Sequence, residues 1–198
     1  MIVCVAANPS IDKLFEVERL VAGEIHRPLG FVQTAGGKGL NAARAAHHLG
    51  GDVRVAAILR GHAGRWLEET LQAEGISGAF VWTHGENRSS LSVADRSAGD
   101  LTEFYEHGPV APEAAWVELL EAAGGRFRPG SWLTISGSMP RGLSEVCYHD
   151  LTEAMLVDEA TPAPGTGFRY LSRARNPCGP GPWGAQSDGT ARVTTRCP

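Results

Sequence analysis

Apolar and polar residues follow strand-like and helix-like periods in turn along the first 160 residues. Buried strands are predicted where short apolar runs occur, at residues 2–7, 52–59, 79–83 and 131–136. Helices are predicted where apolar residues recur every three or four positions, at 39–49, at 63–75, from Pro112 and from about Leu143. Because strands and helices alternate, the pattern predicts an α/β fold with a parallel sheet covered on both faces.

Two further segments alternate residue by residue between polar and apolar side chains. They are SSLSVAD at 89–95 and LTEFYE at 101–106, separated by SAGD at 97–100. Such alternation is typical of strands with one exposed face, so we expect a smaller sheet beside the main one. We interpret SAGD as a hairpin turn, because Gly and Asp favour turns and a strand pattern follows it.

The composition changes near residue 160. Residues 1–160 carry 13 basic and 21 acidic side chains, whereas residues 161–198 carry five arginines, one acid, six prolines and six glycines. A Pro and Gly content of about a third, without helical or strand periodicity, is typical of structureless chain. We therefore divide the chain into residues 1–155 and a Pro/Gly/Arg-rich tail, 156–198, which we expect to be disordered or the product of a changed reading frame.

Charge and cysteine content argue against several classes of protein. A net charge of −4 gives no general attraction to nucleic acid or to an anionic membrane surface. No apolar run reaches the roughly 18 residues of a membrane span, and the start MIVCVAANPS lacks the basic residues of a signal peptide. The four cysteines form no CxxC pair and no spacing that suits zinc. We expect a cytoplasmic protein without a metal site of its own and without nucleic-acid or membrane partners.

The segment TAGGKGLNAARAAHHLG, residues 34–50, places three glycines, a lysine and an asparagine at the start of a predicted helix. Glycines let a ligand approach the backbone, and helix-start N–H groups favour anionic or hydroxyl oxygens. Lys38 would add a positive charge and Asn41 an amide one turn further on. The spacing is not that of a P-loop. It fits the weak dinucleotide fingerprint GxGxxA, but the next strand ends in Arg60 instead of an acid, which disfavours a dinucleotide-binding domain.

Two polar loops are predicted at one edge of the sheet. Asp12 lies in NPSID after the first strand, where open α/β sheets place ligands. The segment SGSMP, which contains Ser138, leaves the last predicted strand in the same way. Taken alone, Asp12 fits a turn or cap residue and SGSMP an ordinary loop. Their shared position makes both candidates for ligand binding.

The segments NPSID, AGGKGLN, ENRSSLSVAD, LTEFYEHGP and SGSMPRG together resemble, in order and spacing, the ribokinase-like (PfkB) carbohydrate kinases. They look most like the branch of 1-phosphofructokinase and tagatose-6-phosphate kinase, over about residues 1–155. The resemblance implies a ribokinase-like three-layer α/β sandwich with a small β-sheet lid, whose strands would lie within about 13–35 and 88–107. It also implies a homodimer in which the lids of two subunits pair.

The resemblance further implies a reaction and a substrate site. The reaction would be ATP- and magnesium-dependent transfer of a phosphoryl group to a hydroxyl of a phosphorylated ketohexose, with fructose 1-phosphate favoured. The substrate-binding residues that the motifs imply are Asp12, Gly37, Lys38, Asn41, Arg88 and Ser138. Asp12 resembles the residue that binds the sugar hydroxyls, and Arg88 the arginine that meets the sugar's phosphate. A guanidinium suits that task because its donors match phosphate oxygens.

The same resemblance also implies parts that this sequence lacks. Members of the family run to about 300 residues, the length of one large α/β domain. Their catalytic aspartate lies in a Gly-Ala-Gly-Asp motif near the C-terminus, at the start of a helix whose N–H groups stabilise the transferred group. No such motif follows residue 155. We therefore expect a chain truncated at the C-terminus, with no catalytic residue and most of the ATP site missing. The alternative is a non-catalytic module that binds sugar phosphate.

Overall fold

The fold is that of a computed structural model of the chain. It describes residues 1–126, 128, 130–144 and 147, and the backbone of four residues of the tail. The chain divides into two units, Met1–Met155 and Leu156–Pro198. The expected helix from Leu143 and the expected disorder or frameshift of the tail lie outside the described residues.

The elements of the first unit alternate much as the periodicity predicts. In chain order they are β1 (Ile2–Ala6), β2 (Ser10–Val17), β3 (Gly30–Gly36), α1 (Lys38–His48), β4 (Val53–Arg60), α2 (Gly61–Ala73), β5 (Ser77–Thr83), β6 (Arg88–Asp95), β7 (Asp100–Tyr105), α3 (Glu113–Gly124) and β8 (Trp132–Ile135). In the second unit, β9 (Arg175–Asn176) pairs antiparallel with β10 (Gly179–Pro180).

Four parallel strands form the central sheet, in the order β5-β4-β1-β8. Side chains of β1 alternate between its faces: Cys4 and Ala6 pack towards α1 and α2, whereas Val3 and Val5 pack towards α3. Their exposed fractions are 3% or less, so both faces of the strand are buried. The three layers, helix, sheet and helix, confirm the predicted α/β architecture.

A second sheet, here called the small sheet, has the order β3-β2-β6-β7. β2 and β6 are parallel, and the two outer strands pair antiparallel. The turn between β6 and β7 is closed by Asp95, whose Oδ1 accepts hydrogen bonds from the N–H groups of Ser97 and Ala98 at 2.9 Å each. SAGD is therefore the hairpin turn that its residues predict.

The structure differs from the sequence prediction at Asp12. This residue lies inside β2, where it pairs with Thr34 of β3 and Ser90 of β6, and not in a loop after β1. The small sheet thus begins at Ser10 and extends to Gly36 on β3, beyond the expected range of 13–35 at both ends. These residues form a strand because they pair with β3 and β6, which are distant in the sequence. The local pattern of NPSID, taken without those partners, predicts a turn.

Candidate functional site

A cavity of about 560 Å³ lies at the carboxyl ends of β1 and β8. Helices α1 and α2 cover one face of the central sheet and α3 the other, so the winding of the chain reverses between these two strands. Open α/β sheets bind ligands at such a reversal. Asn8 and Pro9 after β1, residues 136–138 after β8, and the small sheet enclose the cavity.

All six residues singled out in the sequence line this cavity: Asp12, Gly37, Lys38, Asn41, Arg88 and Ser138. They come from β2, the start of α1, β6 and the loop after β8, which are brought together only by the fold. Their role in binding a substrate stays a prediction.

The Asp12 carboxylate is fixed by neighbours on its own strand and at the start of α1. Its Oδ1 accepts a hydrogen bond from Ser10 Oγ at 2.6 Å, and its Oδ2 accepts one from the Gly37 N–H at 3.3 Å. Ser10 is fully buried, so this arrangement is shielded from water on that side. Charge-assisted hydrogen bonds of this kind hold the carboxylate in one orientation at the cavity wall.

The start of α1 lies open towards the cavity. Gly37 precedes the helix with φ 93°, a conformation that favours glycine, and no side chain caps the first turn. The first N–H groups of a helix have no partner within it and carry a partial positive charge. Lys38, at the first helical position, adds a full positive charge at the same place. The helix start is therefore suited to an anion.

Arg88 begins β6 and is held by polar neighbours. Its Nε donates to the carbonyl oxygen of Asn8 at 3.3 Å, and its Nη1 donates to Ser90 Oγ at 3.1 Å. Asn87, just before it, is buried: its amide joins the N–H of Arg60 and the carbonyl oxygen of Ile58, at 2.7 and 3.3 Å. Within the described ranges no carboxylate forms an ion pair with Arg88. Its charge is thus available to a ligand.

Arg60 is a buried cation that does not line the cavity itself but bonds to a segment next to it. It is 2% exposed, and its Nη1 donates to the carbonyl oxygen of Pro109 at 3.1 Å while its Nε donates to Thr83. Burial lowers the pKa of this guanidinium, which starts high enough to remain charged. Arg60 therefore ties the end of β4 to the segment after β7, whose residues 106 and 107 line the cavity.

Several cavity residues were not found from the sequence. They are Ser10, Ser90, Ser92, Glu103, Tyr105, Glu106 and His107, together with Ala6. Most occupy alternate positions of β2, β6 and β7, and thus one face of the small sheet. The two-residue alternation after Arg88 and around Glu103 was a signal that could have identified them.

Glu103 and Tyr105 form a polar chain on that face. The Tyr105 hydroxyl donates to Glu103 Oε1 at 2.6 Å, and Ser92 Oγ donates to the same oxygen at 3.2 Å. The hydrogen bond to Glu103 raises the pKa of Tyr105, since losing the phenolic proton would break it. The cavity lining therefore contains two acidic side chains, Glu103 and Asp12, and two basic ones, Lys38 and Arg88.

Two other features are absent from the described ranges, a cluster of metal ligands and a helix that could span a membrane. No three His, Cys, Asp or Glu side chains there converge as metal ligands. No helix in the same ranges has the length and apolar character of a membrane span. α1 follows β3 of the small sheet and not a strand of the central sheet, so the glycine-rich segment does not lie in the strand-to-helix turn where the dinucleotide fingerprint belongs.

Known proteins resemble this chain over the region that forms the cavity. The sequence model of the pfkB family carbohydrate kinases matches residues 2–159. The tagatose-6-phosphate kinase of Staphylococcus epidermidis is 30% identical over 151 residues, which are 76% of this chain and 48% of that protein. The 1-phosphofructokinase of Haloferax volcanii is 35% identical over 145 residues, 73% of this chain and 46% of that protein.

The fold also matches a solved enzyme. Phosphofructokinase-2 from Escherichia coli in complex with fructose-6-phosphate superposes with a TM-score of 0.72 at 28% identity, over 78% of this chain and 51% of that one. The same enzyme has been solved in a tetrameric inhibited form, with the same TM-score. The chain thus spans about half the length of the relatives it matches.

Proposed function

Because the chain belongs to the pfkB family of carbohydrate kinases, we propose that its cavity binds a phosphorylated ketohexose, with fructose 1-phosphate favoured. One observation carries the proposal: the cavity combines an open helix start and a fixed carboxylate with two cations that form no ion pair among the described side chains. A sugar phosphate needs both kinds of partner, one for its phosphate and one for its hydroxyls.

The phosphate would be bound by Arg88, which has no acidic partner among the described side chains. Two of its nitrogens already bond to Asn8 and Ser90, so the guanidinium is oriented before a ligand arrives. Orientation of this kind lowers the entropy cost of binding. Lys38 and the N–H groups at the start of α1 would stabilise negative charge on the other side of the sugar.

The hydroxyls would be bound by Asp12 and Ser138. Asp12 is an acceptor that Ser10 and Gly37 hold in place. Ser138 Oγ accepts a hydrogen bond from Asn8 Nδ2 at 3.2 Å, so its own proton is free to be donated to a ligand oxygen. A site that offers both an acceptor and a donor to hydroxyl groups can distinguish a sugar phosphate from inorganic phosphate.

The parent reaction would transfer a phosphoryl group from ATP to a free hydroxyl of this sugar phosphate. The described residues do not fit ATP and its magnesium ion, because no three metal ligands converge among them and the proposal already assigns both cavity cations to the sugar phosphate. We propose that the nucleotide site and the catalytic base belong to a second half, with the length that the relatives have beyond the match. This chain would then bind sugar phosphate without turning it over.

A non-catalytic sugar-phosphate-binding module is the alternative. It keeps all six predicted binding residues, which lie within residues 12–138 and line the cavity. Both alternatives predict binding, and they differ in whether the chain serves a reaction when a second half is supplied.

We further propose that the small sheet pairs with that of a second subunit. Phe31 and Val32 on β3 and Leu101 and Phe104 on β7, the two edge strands of this sheet, are each more than half exposed, and exposed apolar side chains on sheet edges favour an interface. A homodimer would bury them. Light scattering should give twice the mass of the 21.0 kDa chain, and Phe31→Glu should convert it to a monomer.

Calorimetric titration tests the central proposal. The full chain should bind fructose 1-phosphate saturably, tagatose 6-phosphate or fructose 6-phosphate more weakly, and fructose not measurably. A coupled assay with ATP and magnesium should detect no ADP formation that depends on the sugar. If no sugar phosphate binds at millimolar concentration, the binding proposal is wrong. If ADP forms and Asp12→Ala abolishes it, the proposal of a missing half is wrong.

A further inference from the structure

Arg44 is a largely buried cation just outside the cavity. It lies on α1, three residues after Asn41, and only 19% of its side chain is exposed. Three groups from three elements accept its hydrogen bonds. Nε donates to Glu74 Oε2 at the end of α2 at 2.9 Å, and Nη2 donates to the Ala35 carbonyl oxygen of β3 at 2.7 Å. These two bonds fix the plane of the guanidinium.

The third bond of Arg44 reaches a cavity residue. Nη1 donates to Asn41 Oδ1 at 3.2 Å. A guanidinium has five N–H donors and no acceptor, so only the oxygen of the Asn41 amide can face it. The amide nitrogen of Asn41 must then point the other way. Within the part of the chain that the structure describes, no side chain or carbonyl accepts a hydrogen bond from Asn41 Nδ2.

We propose that Arg44 is a positioning residue, which locks the Asn41 amide so that Nδ2 donates to an oxygen of the bound sugar phosphate. The inference rests on the proposed function and adds a direction to it. Asn41 serves as a donor and not as an acceptor. Its N–H group therefore binds a lone pair of a phosphate or hydroxyl oxygen of the ligand. Without Arg44 the amide can turn over and present to the ligand its oxygen, which can accept a hydrogen bond but cannot donate one.

A double-mutant cycle on ligand affinity tests this role. Asn41→Ala and Arg44→Gln should each weaken binding of fructose 1-phosphate by about 10-fold, the effect of losing one charge-assisted hydrogen bond. The double variant should bind no more weakly than Asn41→Ala alone, because Arg44 acts on the ligand only through Asn41. Losses that multiply in the double variant would overturn the inference.

Stability provides a second readout that separates positioning from folding. Glu74→Gln removes the ion pair of Arg44 but keeps its bonds to Ala35 and Asn41, so it should lower Tm and leave affinity within about 2-fold. Arg44→Lys keeps a charge next to Glu74 but cannot reach three acceptors in one plane. It should fold with a Tm near that of the unaltered chain and yet bind as weakly as Arg44→Gln. Full affinity in Arg44→Lys would contradict the inference.

The two proposals fail in different ways. If the unaltered chain binds fructose 1-phosphate but Arg44→Gln binds it equally well, the positioning role is wrong and the proposed function stands. If the unaltered chain binds no sugar phosphate, Asn41 has no ligand to face and both proposals are wrong.

Discussion

The Asp12 carboxylate occupies the space that a side chain at Gly36 would need. A Cβ added to Gly36 would lie 2.0 Å from both Cγ and Oδ2 of Asp12. The glycine is thus required by the neighbouring acid and not by a turn. Together with Ser10 and the Gly37 N–H, it leaves the carboxylate one place to lie, at the wall of the cavity.

Gly36→Ala should therefore reduce binding of fructose 1-phosphate by more than about 10-fold, because Asp12 must move and loses charge-assisted hydrogen bonds. Calorimetric titration measures the loss, and circular dichroism checks that the fold is retained. Gly124→Ala is a matched control, since a Cβ there meets no atom within 4 Å. Equal affinities of the Gly36 and Gly124 variants would show that the position of Asp12 does not matter to binding.

Arg88→Lys tests whether the phosphate is recognised by geometry or by charge alone. Lysine keeps the positive charge but cannot donate from a planar fork to Asn8, Ser90 and a phosphate together. We expect affinity for fructose 1-phosphate to fall by about 10-fold at constant ionic strength.

The control for this prediction is Arg96→Lys. Arg96 is exposed and forms an ion pair with Glu16 at 3.2 Å, away from the cavity. Its replacement should leave affinity unchanged. If Arg88→Lys also binds with full affinity, a point charge suffices, and the phosphate does not need the planar guanidinium of Arg88.

The central sheet could be predicted from the sequence because its strands are buried on both faces. Val3, Cys4 and Val5 are consecutive and all fully excluded from solvent, so the run is apolar throughout and stands out from its neighbours. The glycine-rich start of α1 could likewise be located, since its residues are chemically unusual. Local composition was sufficient in both cases.

The strand that carries Asp12 could not be predicted in the same way. It pairs with β6, so that Asp12 lies beside Ser90, and this parallel pairing joins residues far apart in the chain. No local periodicity encodes such a partner. The same holds for Arg44, whose three acceptors, among them Glu74 and Ala35, belong to different elements. Sequence motifs identified groups that could contact a ligand, but not the groups that orient them.

Gly39→Ala should destabilise the fold, in contrast to Gly36→Ala. A Cβ on Gly39 would lie 2.5 Å from the Val5 carbonyl oxygen and 2.8 Å from the Ala6 Cβ, where α1 packs against β1. Both contacts are with backbone or a buried methyl group, so the helix itself must shift. Overpacking of this kind costs about 1–3 kcal/mol. Urea unfolding measures the change, and a free energy of unfolding equal to that of Gly124→Ala would contradict it.

Asp95 should make the stability of the small sheet depend on pH in the acid range. The N–H of Leu20, followed by that of Ala98 and the hydroxyl of Ser97, stabilises the charged carboxylate and lowers its pKa from 3.8 to about 2. A carboxylate with a lowered pKa in the folded state contributes stability that is complete above the pKa of the unfolded chain, and this stability is lost as the pH falls through the pKa of the folded state. The window is therefore about pH 4 down to about pH 2.

Thermal unfolding of the unaltered chain and of Asp95→Asn should follow that window. The variant should have the lower Tm at pH 5 to 7, and the difference should shrink steadily as the pH falls from about 4 to about 2, because the unaltered carboxylate becomes neutral too. Asp100→Asn is the control: this residue pairs with Asp95 across the hairpin but is exposed, so its Tm difference should be small at every pH. A difference for Asp95→Asn that stays constant from pH 7 to pH 2 would mean that its hydrogen bonds to Leu20 and Ala98 do not depend on its charge.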